Sequence, residues 1–220
     1  MLSEIRQTAR LRYKVFFPPE HTPADKIPLL FFLHGSGEHT GNVTIDQAIA
    51  RYGPLKNDQY TQKAVGDRFI IVFPQLPAPG GNIWGAYDYD IIEIVEEAWN
   101  KYGVDVKRTY LTGFSFGGNG VLSIASKQPD IWAALWPVDP TQRPLPKLKL
   151  PMWLSLGERS RGKDAEMTLR RLGFQEVKKE NNDPNGTHLY ADYGENHLET
   201  GESAYRDNRI YNWLLNNRQQ

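Results

Sequence analysis

Short apolar runs alternate with longer amphipathic stretches along this chain. The runs are rich in β-branched and aromatic residues and are too short for ordinary helices, so they predict strands. They cover residues 13–17, 29–33, 69–73, 109–112, 133–138 and 152–156. Runs that stay apolar throughout are typical of parallel strands buried on both faces. The sequence therefore predicts a mostly parallel sheet.

Helical spacing appears between and after these runs. Between the third and fourth runs, Ile91, Ile94, Val95 and Ala98 recur at helical intervals, and Gly103 follows as a C-cap. Similar stripes lie before residue 173 and over residues 205–214. The order predicts a doubly wound α/β fold with helices on both faces and no large lid domain. Two loops rich in Pro, Gly and Asn are expected at residues 74–85 and 181–186.

Composition bounds the size and the partners of the protein. A chain of 220 residues without a break in composition predicts one domain over residues 1–220. The 26 Lys and Arg residues balance 26 Asp and Glu residues, so we expect a neutral small-molecule substrate and neither nucleic acid nor a membrane as partner. The lack of cysteine leaves the location open, either cytoplasmic or secreted with a leader absent from the printed sequence. The oligomeric state is not predicted.

The strongest chemical signal is the sequence Gly-Phe-Ser-Phe-Gly-Gly at residues 113–118, between a predicted strand and a predicted helix. A serine in such a tight strand-to-helix turn needs glycines two residues before and two after it, because the two backbones pass closely. This pattern predicts Ser115 as a nucleophile. The backbone N–H of Phe116, at the start of the helix, is expected to donate to an oxyanion.

A second signal, His-Gly-Ser-Gly-Glu at residues 34–38, follows an earlier strand, where a hydrolase supplies its other oxyanion donor. We expect that donor to be the Ser36 N–H, with Gly37 as the alternative. His34 is expected to brace this loop by hydrogen bonding rather than to act in catalysis. For the same reason, Glu38 is expected to pair locally.

The general base is expected after the last strand and before the final helix, because this architecture orders the residues as Ser, acid and His. His197 follows a turn-like Gly-Glu-Asn and fits that place. Of the other histidines, His21 and His39 precede the nucleophile, and His188 is expected within the last strand or at its start.

Together these motifs resemble the α/β-hydrolase superfamily, and within it the small phospholipase/carboxylesterases and the polyhydroxybutyrate-depolymerase-like feruloyl esterases. The resemblance runs from about residue 29 to the C-terminus and also rests on residues 73–77, with Trp84 after them, and on residues 102–105. It implies a serine esterase with Ser115 as nucleophile and His197 as base. The implied oxyanion hole uses Phe116 and the loop after residues 34–35.

The chain departs from the pattern of these esterases at the triad acid. They usually carry Gly-x-x-Asp after the strand that here is residues 152–156, but residues 157–160 read Gly-Glu-Arg-Ser, so Ser160 stands where the acid belongs. Asp139 follows the preceding strand and is our first choice for the acid. The alternative for this residue is a purely structural role, in which Asp139 and Pro140 form a turn. Glu158 is an alternative, and so is Asp164, which also fits as a helix N-cap.

The expected reaction is ester hydrolysis through an acyl-enzyme, with no metal and no organic cofactor. Trp84, Tyr87 and Trp136 are candidates to line an open cleft for short acyl or aryl esters, including acylated plant sugars, although each also fits a place in the core. The rival from another class is a binding protein that keeps the fold without turnover, which the missing acid after Gly157 favours. A peptidase is a third hypothesis.

Overall fold

A β-sheet forms the centre of the molecule. The computed structural model describes residues 2–78 and 83–220, and within these ranges nine strands form one sheet in the order β1-β2-β4-β3-β5-β6-β7-β9-β8. The strands are β1 Leu2–Gln7, β2 Arg12–Phe17, β3 Ile27–Leu33, β4 Ile70–Gln75, β5 Val104–Phe114, β6 Ala134–Val138, β7 Met152–Leu156, β8 Gln175–Glu176 and β9 His188–Asp192.

The sheet is mostly parallel, as predicted. Strands β3 to β9 pair in parallel, whereas β1 and β2 add an antiparallel edge next to β4. All of the predicted strands are present, and His188 begins the last strand along the chain. The pattern missed β1 because its side chains are almost all exposed, so it lacks the apolar run that marks a buried strand.

Helices cover both faces of the sheet, which confirms the doubly wound α/β fold. They are α1 Ile45–Ile49, α2 Gln59–Val65, α3 Asp88–Lys101, α4 Phe116–Lys127, α5 Glu158–Arg161, α6 Lys163–Arg171, α7 His197–Arg206 and α8 Asn208–Asn216. Two large apolar clusters result, one with α3 and α4 and the other with α2, α7 and α8. The described chain forms no large lid domain over the sheet.

Several local predictions are confirmed and others need correction. Gly103 and Gly173 follow α3 and α6 with φ of +67° and +86°, the left-handed conformation that favours glycine after a helix. The terminal stripe is two helices, because α7 ends before Asp207 and α8 begins after it. In the predicted loop 74–85, β4 reaches Gln75, a short 3₁₀ helix begins at Trp84, and residues 79–82 lie outside the described residues. None of the helices in the described chain has the length and hydropathy needed to cross a bilayer.

The carboxyl ends of the parallel strands meet at one edge of the sheet. β3, β5 and β6 are neighbours there, and β7 and β9 follow in order. The segments after these strands therefore lie side by side, with the segment after β5 flanked by those after β3 and β6. Such an edge is where ligands bind in open α/β sheets.

Candidate active site

Ser115 occupies the sharp turn between β5 and α4. The strand ends at Phe114 and the helix begins at Phe116, so a single residue makes the whole change of direction. Ser115 has φ of 59° and ψ of −118°, a strained conformation for a residue with a side chain. Its N–H donates to the carbonyl oxygen of Val138 at 2.9 Å, which ties the turn to the end of β6.

The two flanking glycines make this turn sterically possible. A Cβ at Gly113 would lie 2.4 Å from the carbonyl oxygen of Gly117, and a Cβ at Gly117 would lie 1.9 Å from that of Leu33. Both distances are far inside van der Waals contact. The prediction that the chain needs glycine two residues before and two after Ser115 is therefore confirmed.

His197 is the first residue of α7, after the turn that follows β9. Gly194 takes a left-handed φ of +66°, and the Asn196 side chain caps the helix by accepting from two of its first N–H groups. The His197 Nε2 lies 2.8 Å from the Ser115 Oγ. The imidazole stacks on the Phe114 ring at 4.7 Å, so its orientation is fixed by the cap and the ring together.

Asp139 lies directly after β6 and is fully buried. Its Oδ2 is 2.5 Å from the His197 Nδ1, and its N–H donates to the carbonyl oxygen of Ser155 at 2.7 Å. The residue has φ of +45°, a left-handed conformation that directs the side chain toward His197. The structure thus brings Ser115, His197 and Asp139 into one hydrogen-bonded row.

Two residues after β7 complete the surroundings of this carboxylate, and sequence reasoning assigned a role to neither. The Ser160 Oγ lies 2.9 and 2.8 Å from the two carboxylate oxygens of Asp139. Arg161 donates to the Asp139 carbonyl oxygen, and its Nη2 is 3.2 Å from Oδ2 and 3.1 Å from the His197 Nδ1. The signal for Ser160 was the segment 157–160, where the chain leaves the esterase pattern, and Arg161 follows it directly.

The loop after β3 passes directly beside the nucleophile. A Cβ at Gly35 would lie 3.5 Å from the Ser115 Cβ, so the backbone of this loop faces the serine. Ser36 is exposed in the same loop, and Phe116 begins α4 on the other side of Ser115. Because the first N–H groups of a helix have no intrahelical acceptor, the Phe116 N–H is free to bind a ligand oxygen.

Glu38 is buried beneath this loop. Burial raises the pKa of Glu38, and the Arg51 charge and the backbone N–H groups of Gly35 and Gly37 act in the opposite direction. The Arg51 Nη1 lies 3.8 Å from the Glu38 Oε1. The expected local pairing of Glu38 is therefore confirmed.

The comparisons with known proteins agree with this architecture. A family model described as the prolyl oligopeptidase family matches residues 82–148. No curated protein matches the chain. A thermostable esterase superposes with a TM-score of 0.75 at 18% identity, over 99% of this chain and 63% of its own. S-formylglutathione hydrolase from Staphylococcus aureus superposes with a TM-score of 0.67 at 15% identity, over 97% of this chain and 95% of its own. A ferulic acid esterase from the anaerobic fungus Anaeromyces mucronatus superposes with a TM-score of 0.64 at 16% identity, over 95% of this chain and 88% of its own.

The chain has the α/β-hydrolase fold. In this hydrolase fold His34 stabilises the loop after β3, as predicted. Its Nδ1–H donates to the Gly35 carbonyl oxygen at 2.6 Å, its Nε2 accepts from the Leu76 N–H at 3.0 Å, and its own carbonyl oxygen accepts from the Trp84 indole at 3.0 Å. Burial lowers the pKa of His34 to about 4, so the ring is neutral near pH 7.

The expectation that Trp84 and Trp136 line the cleft is wrong. Both side chains are fully buried. The Trp136 indole donates to the Ser155 Oγ at 3.1 Å and packs 4.7 Å from the Tyr205 ring, while Trp84 braces the loop after β3. Tyr87 is partly buried against the same core as Trp84. A central strand such as β6 is covered on both faces, so its side chains meet the core whichever way they point.

The two alternative acids lie elsewhere. Glu158 is 46% exposed, with its Oε1 3.7 Å from the Lys163 Nζ. Asp164 is exposed in the first turn of α6 and is not its N-cap, because Gly162 takes that place. Within residues 2–78 and 83–220, no three His, Asp or Glu side chains gather as metal ligands.

Proposed function

We propose that the protein is a serine carboxylesterase that hydrolyses short acyl or aryl esters, with Ser115 as nucleophile, His197 as general base and Asp139 as the acid that orients it. The observation that carries the proposal is the unbroken row of hydrogen bonds, 2.8 Å from Ser115 Oγ to His197 Nε2 and 2.5 Å from His197 Nδ1 to Asp139 Oδ2. A nucleophile, a base and an orienting group in this order are what acyl transfer requires.

In the first half of the reaction, His197 takes the Ser115 proton on Nε2 while Oγ attacks the ester carbonyl carbon. Asp139 keeps the other imidazole proton on Nδ1 and stabilises the imidazolium that forms. The carbonyl oxygen becomes an oxyanion held by the N–H groups of Phe116 and Ser36. We assign the second donor to Ser36 because it is exposed in the loop that passes beside Ser115, with the Gly37 N–H as the alternative.

The tetrahedral intermediate then collapses. The imidazolium gives its proton to the leaving oxygen as the bond from that oxygen to the carbonyl carbon breaks, and the alcohol departs. His197 next takes a proton from water, whose oxygen attacks the acyl-enzyme, and returns that proton to the Ser115 Oγ as the acid leaves. Each proton taken by His197 is given back within the cycle, so the residues end as they began.

The substrate class follows from the shape of the site and from its relatives. The described segments leave the sheet edge at Ser115 without a lid domain, which favours esters that bind in an open cleft. The similarity to a ferulic acid esterase makes feruloyl and acetyl esters of sugars the specific activity to examine first. The buried positions of Trp84 and Trp136 remove them from substrate contact.

A fluorophosphonate probe tests the nucleophile directly, because it reacts covalently with an activated serine. We expect one labelled site, lost in Ser115→Ala and retained in the matched control Ser126→Ala on the same helix. Hydrolysis of p-nitrophenyl esters across acyl lengths should be lost with the same variant. Labelling that survives in Ser115→Ala would overturn the assignment, and a folded wild type that neither labels nor turns over would favour the binding protein.

A peptidase is the second candidate, favoured by the match of residues 82–148 to the prolyl oligopeptidase family. The same residues would attack an amide, but an amine is a far poorer leaving group than an aryl alcohol. We therefore propose esters as the preferred substrates. Comparing kcat/KM for a p-nitrophenyl ester with that for aminoacyl p-nitroanilides decides between the two, and faster cleavage of the anilide would reverse the preference.

A further inference from the structure

Two arginines lie on the segments next to the active site, and we call them the cationic pair: Arg161, which contacts the Asp139 carboxylate, and Arg143, four residues after Asp139 in the chain. Arg161 comes from α5, after β7, and Arg143 from the turn that follows Asp139. Arg143 is close enough to Arg161 and Asp139 for the charges of both to affect the pKa of its guanidinium. This end of the active site therefore holds two guanidinium groups and one buried carboxylate.

Arg161 accounts for the charge of the carboxylate. It is 15% exposed, and its Nη2 is 3.2 Å from the Asp139 Oδ2 while it also donates to the Asp139 carbonyl oxygen. The Nδ1 of His197, 3.1 Å from the same nitrogen, already gives its hydrogen to Asp139. The positive charge of Arg161 thus offsets the negative charge of Asp139, and the positive charge of Arg143 is not offset by either.

Arg143 has weak partners for a cation. Its Nη1 contacts the carbonyl oxygens of Pro140 and Gln142, each at 3.4 Å, which is long for a hydrogen bond from nitrogen. Burial and the like charge of Arg161 lower the pKa of Arg143, and Asp139 opposes them. A half-buried guanidinium that feels the charge of a second cation is unfavourable unless an anion joins it.

The turn that carries Arg143 is fixed relative to the nucleophile. The Asn119 Oδ1 accepts from the Gln142 N–H at 3.0 Å, and the Asn119 Nδ2 donates to the Thr141 Oγ1 at 2.7 Å. Asn119 lies in the first turns of α4, the helix that begins directly after Ser115. The two residues before Arg143 are therefore held by the same helix that begins at the serine, which anchors the turn as a substrate site requires.

We propose that Arg143 binds an anionic group, of the carboxylate class, on the alcohol portion of the ester. This inference rests on the esterase function proposed above and names its preferred substrates. The loop that supplies Ser36 follows β3, and the cationic pair follows β6 and β7, on the opposite side of β5 and Ser115. The carbonyl oxygen of the substrate points toward the Ser36 loop, on the β3 side of Ser115. The leaving oxygen must reach His197 on the β6 and β7 side, so the alcohol portion extends toward Arg143.

Two matched substrate pairs test the charge and its location. The first pair, 4-acetoxybenzoate and methyl 4-acetoxybenzoate, has a carboxylate or its neutral methyl ester on the alcohol portion; the methyl ester also makes the phenol the better leaving group, which acts against the expected preference. The second pair, mono-p-nitrophenyl adipate and p-nitrophenyl hexanoate, differs by a charge on the acyl portion. For the first pair we expect kcat/KM to favour the anion by about tenfold or more, chiefly through KM, as charge-assisted recognition allows. For the second pair we expect no such preference.

Arg143→Gln should reduce the first ratio to about one, and Arg143→Lys should retain part of it because the charge remains without the planar fork. Arg171→Gln is the matched control. It removes an exposed arginine at the end of α6 and should leave both the ratio and neutral-ester turnover unchanged. Competitive inhibition by benzoate should weaken in Arg143→Gln and stay the same in the control, and thermal unfolding of each variant shows that the fold is kept.

The outcomes separate this inference from the function on which it rests. A wild type that hydrolyses the neutral esters but shows no preference for 4-acetoxybenzoate overturns the inference and leaves the esterase proposal standing. A preference confined to the adipate pair, or one that survives in Arg143→Gln, overturns the assigned position or residue. A folded wild type with no fluorophosphonate labelling and no turnover of any ester overturns both.

Discussion

Asp139 combines full burial, a left-handed backbone and a dense set of hydrogen-bond donors. The Ser160 Oγ, the Gly157 N–H at 3.3 Å and the His197 Nδ1 all approach its carboxylate. Non-glycine residues with positive φ are uncommon, and Asp139 and Ser115 are two of the four in the described chain. Strain of this kind concentrates where function requires a fixed side chain.

Replacing the carboxylate with its amide tests the proposed role of Asp139. Asp139→Asn keeps the size of the side chain, but its amide can hold His197 in the wrong tautomer, so we expect kcat to fall by about three to four orders of magnitude. Glu158→Gln and Asp164→Asn are matched controls in which kcat should change less than about threefold. Steady-state kinetics on one p-nitrophenyl ester measures all three. Similar losses in the controls, or a near-neutral Asp139→Asn, would move the acid elsewhere.

The Ser160 side chain lies so close to the Asp139 carboxylate that a carboxylate carried by residue 160 should reach nearly the same place beside His197. Asp139→Gly should nearly abolish turnover, and glycine suits the φ of +45° at that position while leaving space. Adding Ser160→Asp should restore kcat by about tenfold or more, since a carboxylate from α5 then reaches toward the His197 Nδ1. Adding Ser160→Asn to Asp139→Gly is the uncharged control and should restore nothing. Equal kcat values for the Asp and Asn double variants would refute the shared location.

At the scale of elements, α4 passes so close to the end of β3 that glycine is required at the contact. Gly117→Ala would place a Cβ 1.9 Å from the Leu33 carbonyl oxygen, and backbone on both sides cannot move freely. We expect the free energy of unfolding to fall by about 3 kcal/mol, the upper end of the usual range for overpacking. Urea denaturation measures the loss.

Gly37→Ala is the contrasting glycine variant. Its nearest neighbour would be the end of the flexible Arg51 side chain at 3.4 Å, an ordinary contact. The free energy of unfolding should therefore change by less than about 1 kcal/mol. Equal effects of the two substitutions would show that the close approach of α4 to β3 is not what limits position 117.

At the scale of the whole molecule, His34 links the loop after β3 to the end of β4 and to Trp84. Burial lowers the pKa of His34 from 6.5 to about 4 in the folded protein. The neutral ring favours folding, so this stabilisation is complete above about pH 6.5 and is lost as the pH falls toward about 4. A shift of this size corresponds to about 3 kcal/mol, as an order of magnitude.

Urea unfolding from about pH 7 down to about pH 5 tests this linkage, because it reports the uptake of protons on unfolding. His34→Asn keeps a donor near the Gly35 carbonyl oxygen but cannot take up that proton. We expect the variant to be less stable than the wild type at neutral pH and to lose less stability as the pH falls. An unchanged pH slope in His34→Asn would show that His34 is not the group responsible.

The pattern of apolar runs determined the strands, the helices between them and the turn at Ser115. These features depend on local physics, since strand burial marks each run and the glycines of residues 113–118 record a steric demand within a few residues. The edge strand β1 was not predicted, because its side chains are almost all exposed and form no apolar run.

Only the tertiary structure decided which carboxylate lies against His197. Asp139 and His197 are separated by 58 positions, and their contact arises because β6 and β9 end at the same edge of the sheet. Composition and spacing could not distinguish a lining Trp136 from a buried one, since a strand covered on both faces hides every side chain. The pairing of Arg161 with Asp139, which leaves Arg143 with carbonyl partners alone among residues 2–78 and 83–220, likewise depends on distances that the order of residues does not encode.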